Sequence, residues 1–215
     1  MPLSDRDYMK PSSPQRYNRG PSQADSFFMN PVLVIIAFNI LIFLVAQVNQ
    51  NRVLTTFGLA PFLFTQKPWT ILTSMFLHLD FWHIFSNMLV LFFFGRIIYK
   101  IVGGWRFLVI YFAGGLAGNL LYLWIGPYNS IALGASGAVY AIAGTLVVLM
   151  PKMRVAIWGL IPVPLWIFVI VFLGILSLPP FAAADLAWQS HLGGLAVGLA
   201  SGFIYHRQMR HIMYR

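Results

Sequence analysis

The feature that most constrains this chain is a succession of apolar runs too long and too numerous for a water-soluble core. Six of them, at 31–48, 81–101, 105–125, 136–150, 163–178 and 188–205, are separated by short polar or proline-bearing connections. Of 215 residues 59% are hydrophobic and 9% charged, and the mean hydropathy is +0.76. A soluble domain cannot hide that much apolar surface, so the chain reads as a polytopic membrane protein. Lipid leaves backbone polar groups no partner outside the segment, so runs of this length imply helices. The predicted fold class is an all-α bundle of six transmembrane helices.

Residues 1–29 are polar and rich in Ser, Pro, Arg and Asn, and read as a disordered arm. The arm is too polar for a signal-peptide core, so the first apolar run is expected to stay as an anchor. The membrane domain is placed at 30–206, with a short basic tail at 207–215 and no seventh span. The stretch 49–79 carries Gly58, Pro61, Phe62, Phe64 and Trp69. It is too apolar for a free loop and is expected in the membrane interface. The same holds for 155–161, which runs into Pro162-Val163-Pro164 and defers the fifth span to about residue 163.

With six spans, twelve of the fourteen Lys and Arg residues fall on the side of the termini, leaving Arg52 and Lys67 opposite. By the positive-inside rule both termini are cytoplasmic, in a cell membrane. A net charge of +9 can signal nucleic acid, but here the cations sit singly between apolar runs, so no nucleic-acid partner is expected. There is no cysteine and all five acidic residues are aspartates, three of them in the arm. Thiol chemistry is excluded and carboxylate chemistry is restricted.

This topology sets His83, Asn87, Ser136 and His191 at one depth, near the outer ends of three helices. Ser136 opens a run of about 15 residues, roughly 22 Å of helix against a hydrocarbon core of about 30 Å. It follows Gly134-Ala135, so the hydroxyl is expected below the membrane surface. His191, Gly194, Gly198 and Gly202 form one helix stripe, and on the fourth span Ser136, Tyr140 and Ala143-Gly144 make a similar one, with Gly137 and Ala141 adjacent. If the stripes face each other, His191 reaches Ser136 and can act as its base. Asn87, His83 and the Ser136 N–H are suitable donors for an oxyanion. No carboxylate is well placed as a third member, Asp185 and Asp80 both lying in loops, so a Ser-His dyad is expected. Tyr140, one turn below Ser136, would position the imidazole.

The motif Gly134-Ala135-Ser136-Gly137 resembles the GxSG motif of rhomboid intramembrane serine proteases. His191-Leu192-Gly193-Gly194 with Gly198 and Gly202 is similar to the last core helix of that family. His78, His83 and Asn87 match its HxxxxHxxxN pattern. The resemblance covers roughly residues 30–206. It implies a six-helix bundle that cleaves transmembrane substrate proteins near the membrane surface, within the lipid bilayer and without a cofactor. It assigns Ser136 as nucleophile, His191 as base, His83 and Asn87 as oxyanion donors, and His78 and Tyr140 as support. It also makes the fifth span and the loop 179–187 a lateral gate and cap. Two departures stand out. Trp69 is followed by Thr70 where many members have arginine, and Ser190 precedes His191 where many have alanine.

Three other readings compete. His78, His83 and His191 could bind zinc, but there is no HExxH and no supporting carboxylate in the right segment. A non-catalytic relative that escorts membrane clients would lack the serine or the histidine, and both are present. A transporter relay would need paired intramembrane acids.

Overall fold

The computed structural model describes residues 30–157, 160–175, 178 and 187–213. The arm at 1–29, Asp185 and nearly all of the expected cap loop lie outside the described residues. The described chain is mostly helical, as lipid requires. Helix α1 spans Pro31–Ala46, with Pro31 in the first turn and the Asn30 side chain accepting from the Val32 N–H. Helix α2, Gln50–Phe57, is capped by Asn49. A 3₁₀ turn at Pro61–Leu63 leads to α3, Thr70–Thr73, which runs on as a 3₁₀ turn over Ser74–Phe76.

Helix α4, Phe81–Val102, and helix α5, Gly104–Ile125, have 22 residues each. Both are long and apolar enough to cross a membrane; α1 and α6, Ser136–Leu149, are apolar but shorter. The Asp80 carboxylate caps α4 by accepting the His83 N–H at 2.9 Å. Between α4 and α5 the chain reverses at Gly103, whose φ of +84° a side chain would strain. The middle of α4, Leu91–Gly95, is a π-helix.

Residues 154–164 depart from the all-α expectation. Strands β1, Arg154–Ile157, and β2, Ile161–Pro164, form an antiparallel hairpin in which Val155 pairs with Val163 and Ile157 with Ile161. β-branched residues favour this extended pairing. Each strand of a lone hairpin has a free edge, which tolerates the missing N–H of Pro162 and Pro164. The helix expected from 163 therefore starts two residues later. This α7 is Leu165–Ile167, continued as a π-helix over Phe168–Gly174. The last helix, α8, runs Trp188–Met213, beyond the expected end at 205. Much of the basic tail is therefore helical.

Helices α6 and α8 pack along their small residues. A Cβ on Gly194 would lie 1.9 Å from the Gly137 carbonyl oxygen, and one on Gly198 would lie 2.3 Å from that of Ala141. A Cβ on Gly202 would lie 3.0 Å from the Thr145 carbonyl oxygen. Partner positions rise together along both chains, so the two helices run parallel. Thr145 adds a hydroxyl bond to the Gly198 carbonyl at 3.0 Å. On its other side α8 meets α5, where Gly118 faces the Ser190 carbonyl and Gly193 faces Ala117. Phe107, Ile110, Tyr111, Ile142 and Leu146 fill the core these helices share.

The segment 49–79 is tied down by means that the sequence does not announce. Three side chains satisfy three successive carbonyls at the end of α2. Lys67 Nζ donates to Thr55 O (2.8 Å), Trp69 Nε1 to Thr56 O (3.2 Å) and Thr73 Oγ1 to Phe57 O (2.8 Å). Thr70, where the family resemblance leads one to expect arginine, is buried and donates to the Lys67 carbonyl.

Candidate active site

Ser136 begins α6, and no side chain caps that helix. Its first-turn N–H groups are therefore left for another acceptor. Directly before it, Gly134 has φ +124°, and a Cβ there would lie 2.7 Å from His83 Nε2. Only glycine fits a turn that must bring the backbone this close to a ring. The Gly134 N–H donates to Ser74 O (2.9 Å). Ser74 Oγ in turn accepts from Asn119 Nδ2 (2.9 Å), whose amide also donates to Ile71 O (2.7 Å). A polar residue in the middle of α5 thus fixes the loop ahead of Ser136. Sequence reasoning missed Asn119; a polar amide within the apolar run 105–125 is the signal that could have found it, and nothing marks its partner 45 residues away.

His191 Nε2 lies 2.9 Å from Ser136 Oγ. The imidazole is buried and stacked on Tyr140, with centroids 4.1 Å apart and planes 15° from parallel. For Nε2 to accept the hydroxyl proton, Nδ1 must carry the hydrogen. No acceptor meets Nδ1 among the described residues, and Asp80 is committed to capping α4. Ser190 is buried beside it, and its hydroxyl also lacks a partner among the described residues.

His83, Ser86, Asn87, Ser136, Tyr140 and His191 line one open cavity of about 170 Å³, completed by Val90 and Val139. Ser86, Val90 and Val139 had carried no site signal in the sequence. His83 Nδ1 accepts a long contact from the Leu79 N–H (3.5 Å), which leaves Nε2 as the protonated nitrogen, next to Gly134. Asn87 donates one amide hydrogen to His83 O at 2.9 Å, so a single hydrogen remains for the cavity.

His78 is not in the cavity. It lies buried in the turn before α4, its ring edge-on to His83 at 5.0 Å, and Nε2 accepts from the Ala135 N–H at 3.4 Å. Burial, and secondarily the neighbouring His83, push its pKa down to about 3. It therefore stays a neutral acceptor at physiological pH. The three histidines have separate partners and do not converge on one point, which argues against the zinc reading.

The family model described as Rhomboid domain matches residues 65–208. The chain is 29% identical over 171 residues to Rhomboid protease GluP of Bacillus subtilis, covering 77% of this chain and 32% of that protein. It is 35% identical over 147 residues to RHOMBOID-like protein 12, mitochondrial, of Arabidopsis thaliana, covering 60% and 44%. It is also 30% identical over 187 residues to Rhomboid protein 1, mitochondrial, of Saccharomyces cerevisiae, covering 81% and 53%. The chain spans about half the length of these relatives or less. The matched region runs from within the segment 49–79 through the serine motif and along most of the histidine helix, and on that match the chain belongs to the rhomboid family.

Proposed function

We propose that this chain is an intramembrane serine endopeptidase acting on transmembrane proteins near the membrane surface. The observation that carries the reading is the 2.9 Å approach of His191 Nε2 to Ser136 Oγ, made across 55 residues of sequence. Nε2 takes the proton as Oγ attacks the scissile carbonyl, and the imidazolium returns it to the leaving amine. Water then hydrolyses the acyl-enzyme by the same route. The Ser136 N–H, His83 Nε2–H and the remaining Asn87 amide hydrogen supply donors for the oxyanion. The Tyr140 face stabilises the imidazolium and fixes its plane. Among the described residues no carboxylate meets His191 Nδ1, which supports reading Ser136 and His191 as a dyad.

The proposed topology has six spans with both termini in the cytoplasm. The parallel run of α6 and α8 supports a crossing by the segment between them, because a chain joining two parallel helices must cross back once. Residues 30–206 are then the membrane domain, and 1–29 and 207–215 its cytoplasmic flanks. At about 1.5 Å per residue, the 14 residues of α6 span about 21 Å, less than the roughly 30 Å hydrocarbon core. The geometry thereby favours a serine sunk below the surface.

The test is a mechanism-based serine-hydrolase probe on the purified protein, with the modified residue mapped. Labelling is expected on Ser136. Cleavage of a membrane-anchored substrate is expected to fall about 10⁴-fold or more in Ser136→Ala and in His191→Ala. Equal cleavage by wild type and Ser136→Ala would refute the reading.

A further inference from the structure

Beside α1, lined by none of the catalytic residues, lies an open hollow of about 210 Å³. Phe38, Ile42 and Val45 of α1 form one wall, and Val53 and Phe57 of α2 form the roof. Thr73, Phe76 and Leu77 close the back. The hollow is larger than the roughly 150 Å³ apolar cavity that stays dry and takes up benzene. Its lining offers water almost no partner.

We infer that this hollow is a binding site for one acyl chain of an anionic phospholipid, with the headgroup phosphate held by Arg52. Phe38 and Val45 are 45% and 57% exposed, so the opening continues the lipid-facing surface of α1 and an alkyl chain enters from the side. Val53 and Phe57 are four apart on α2 and point their shared face at the hollow, while Arg52, next to Val53, is exposed. Lys67, the other cation on this side of the membrane, already donates to Thr55 O. Arg52 is thus placed for a phosphate at the rim, and the apolar roof lies directly behind it. The back wall gives the site a consequence. Thr73 and Phe76 flank Ser74, whose carbonyl holds the Gly134 N–H. An acyl chain packed against that wall braces the loop that leads to Ser136.

The inference rests on bilayer placement and not on protease activity, so its test is read on the Ser136→Ala protein. The purified chain is titrated with phosphatidylglycerol or phosphatidylcholine, and bound lipid is counted by native mass spectrometry alongside the thermal midpoint. One tightly held phosphatidylglycerol per chain and a raised midpoint are expected. Arg52→Glu is expected to weaken phosphatidylglycerol binding about fivefold or more, the scale of one cation near an anionic surface, and to weaken phosphatidylcholine, whose choline offsets the same phosphate, by less. Val45→Trp fills the hollow and is expected to abolish the tight lipid and remove the lipid dependence of the midpoint. Tight binding that survives Val45→Trp overturns the site, as does a second copy of the chain released by that variant. Equal affinity for both lipids overturns the role of Arg52.

Discussion

Replacing Gly194 by alanine tests whether the main chains of α6 and α8 set the Ser136–His191 geometry. The added Cβ would sit 1.9 Å from the Gly137 carbonyl oxygen and 2.7 Å from its carbon, both backbone atoms that no rotamer can move aside. Ordinary van der Waals contact begins near 3.4 Å, so the helices must part there by about 1.5 Å. His191 lies one turn before Gly194 on the same stripe. Carried through to the ring, that movement takes Nε2 from 2.9 Å to roughly 4.4 Å from Oγ, beyond hydrogen-bond range. A misplacement of about 1 Å can cost 10²-fold in rate, so kcat/KM is expected to drop at least that far. Overpacking of this kind costs about 1–3 kcal/mol, which leaves a folded bundle to assay. Cleavage is measured in proteoliposomes, with probe labelling of Ser136 and circular dichroism in parallel. Leu192→Ala, on the lipid-exposed side of the same turn, is the control and should be near wild type. Wild-type cleavage by Gly194→Ala would refute the claim that backbone contact sets the catalytic distance.

Three further outcomes are expected. Tyr140→Leu removes the ring that stacks on His191 and should lower kcat about tenfold or more with KM little changed, measured on the same substrate. Asn119→Ala deletes the amide bonds to Ile71 O and Ser74 Oγ; at about 1–3 kcal/mol for a buried group left unpaired, the thermal midpoint and Ser136 labelling should both fall. Because the folded-state pKa of His78 is depressed to about 3 from 6.5, the unfolded chain binds one more proton between those values. Stability should therefore fall on acidification through that window, by up to about 1.4 kcal/mol per pH unit, and His78→Phe should flatten the slope of the melting midpoint against pH.

Much of the site could be read because its elements announce themselves locally. A serine between glycines, a histidine heading a 3, 4, 4 glycine stripe, and His83 four residues before Asn87 are patterns of helix faces, and charge asymmetry is the ground for expecting them at one depth. The close approach of Ser136 to His191 follows from glycines that leave no side chain between two helices. What could not be read is non-local. The bonds from Asn119 to Ile71 O and Ser74 Oγ, and the clamp of Lys67, Trp69 and Thr73 on the carbonyls of α2, join side chains to oxygens 12 to 48 residues away. Nothing in the periodicity of either partner marks such a pairing. The hairpin at 154–164 was hidden for another reason. An apolar β-branched run of that length suits an interfacial stretch as well as a strand, and only pairing with itself decides between them. The π-helical turns in α4 and α7 depend on an accommodated extra residue that leaves hydropathy unchanged.

The contact of Gly194 with Gly137, and of Gly198 with Ala141, bears on how such a chain can vary over generations. A spacing held by main chain against main chain is indifferent to the identity of most surrounding side chains. Leu192, Phe203 and Ile204 look outward from α8, so they are free to exchange among apolar types as the host's lipids change. The small positions on the facing stripes have no such latitude. Drift in the lipid-facing sequence and strictness at a few small residues are, on this view, two products of one helix contact.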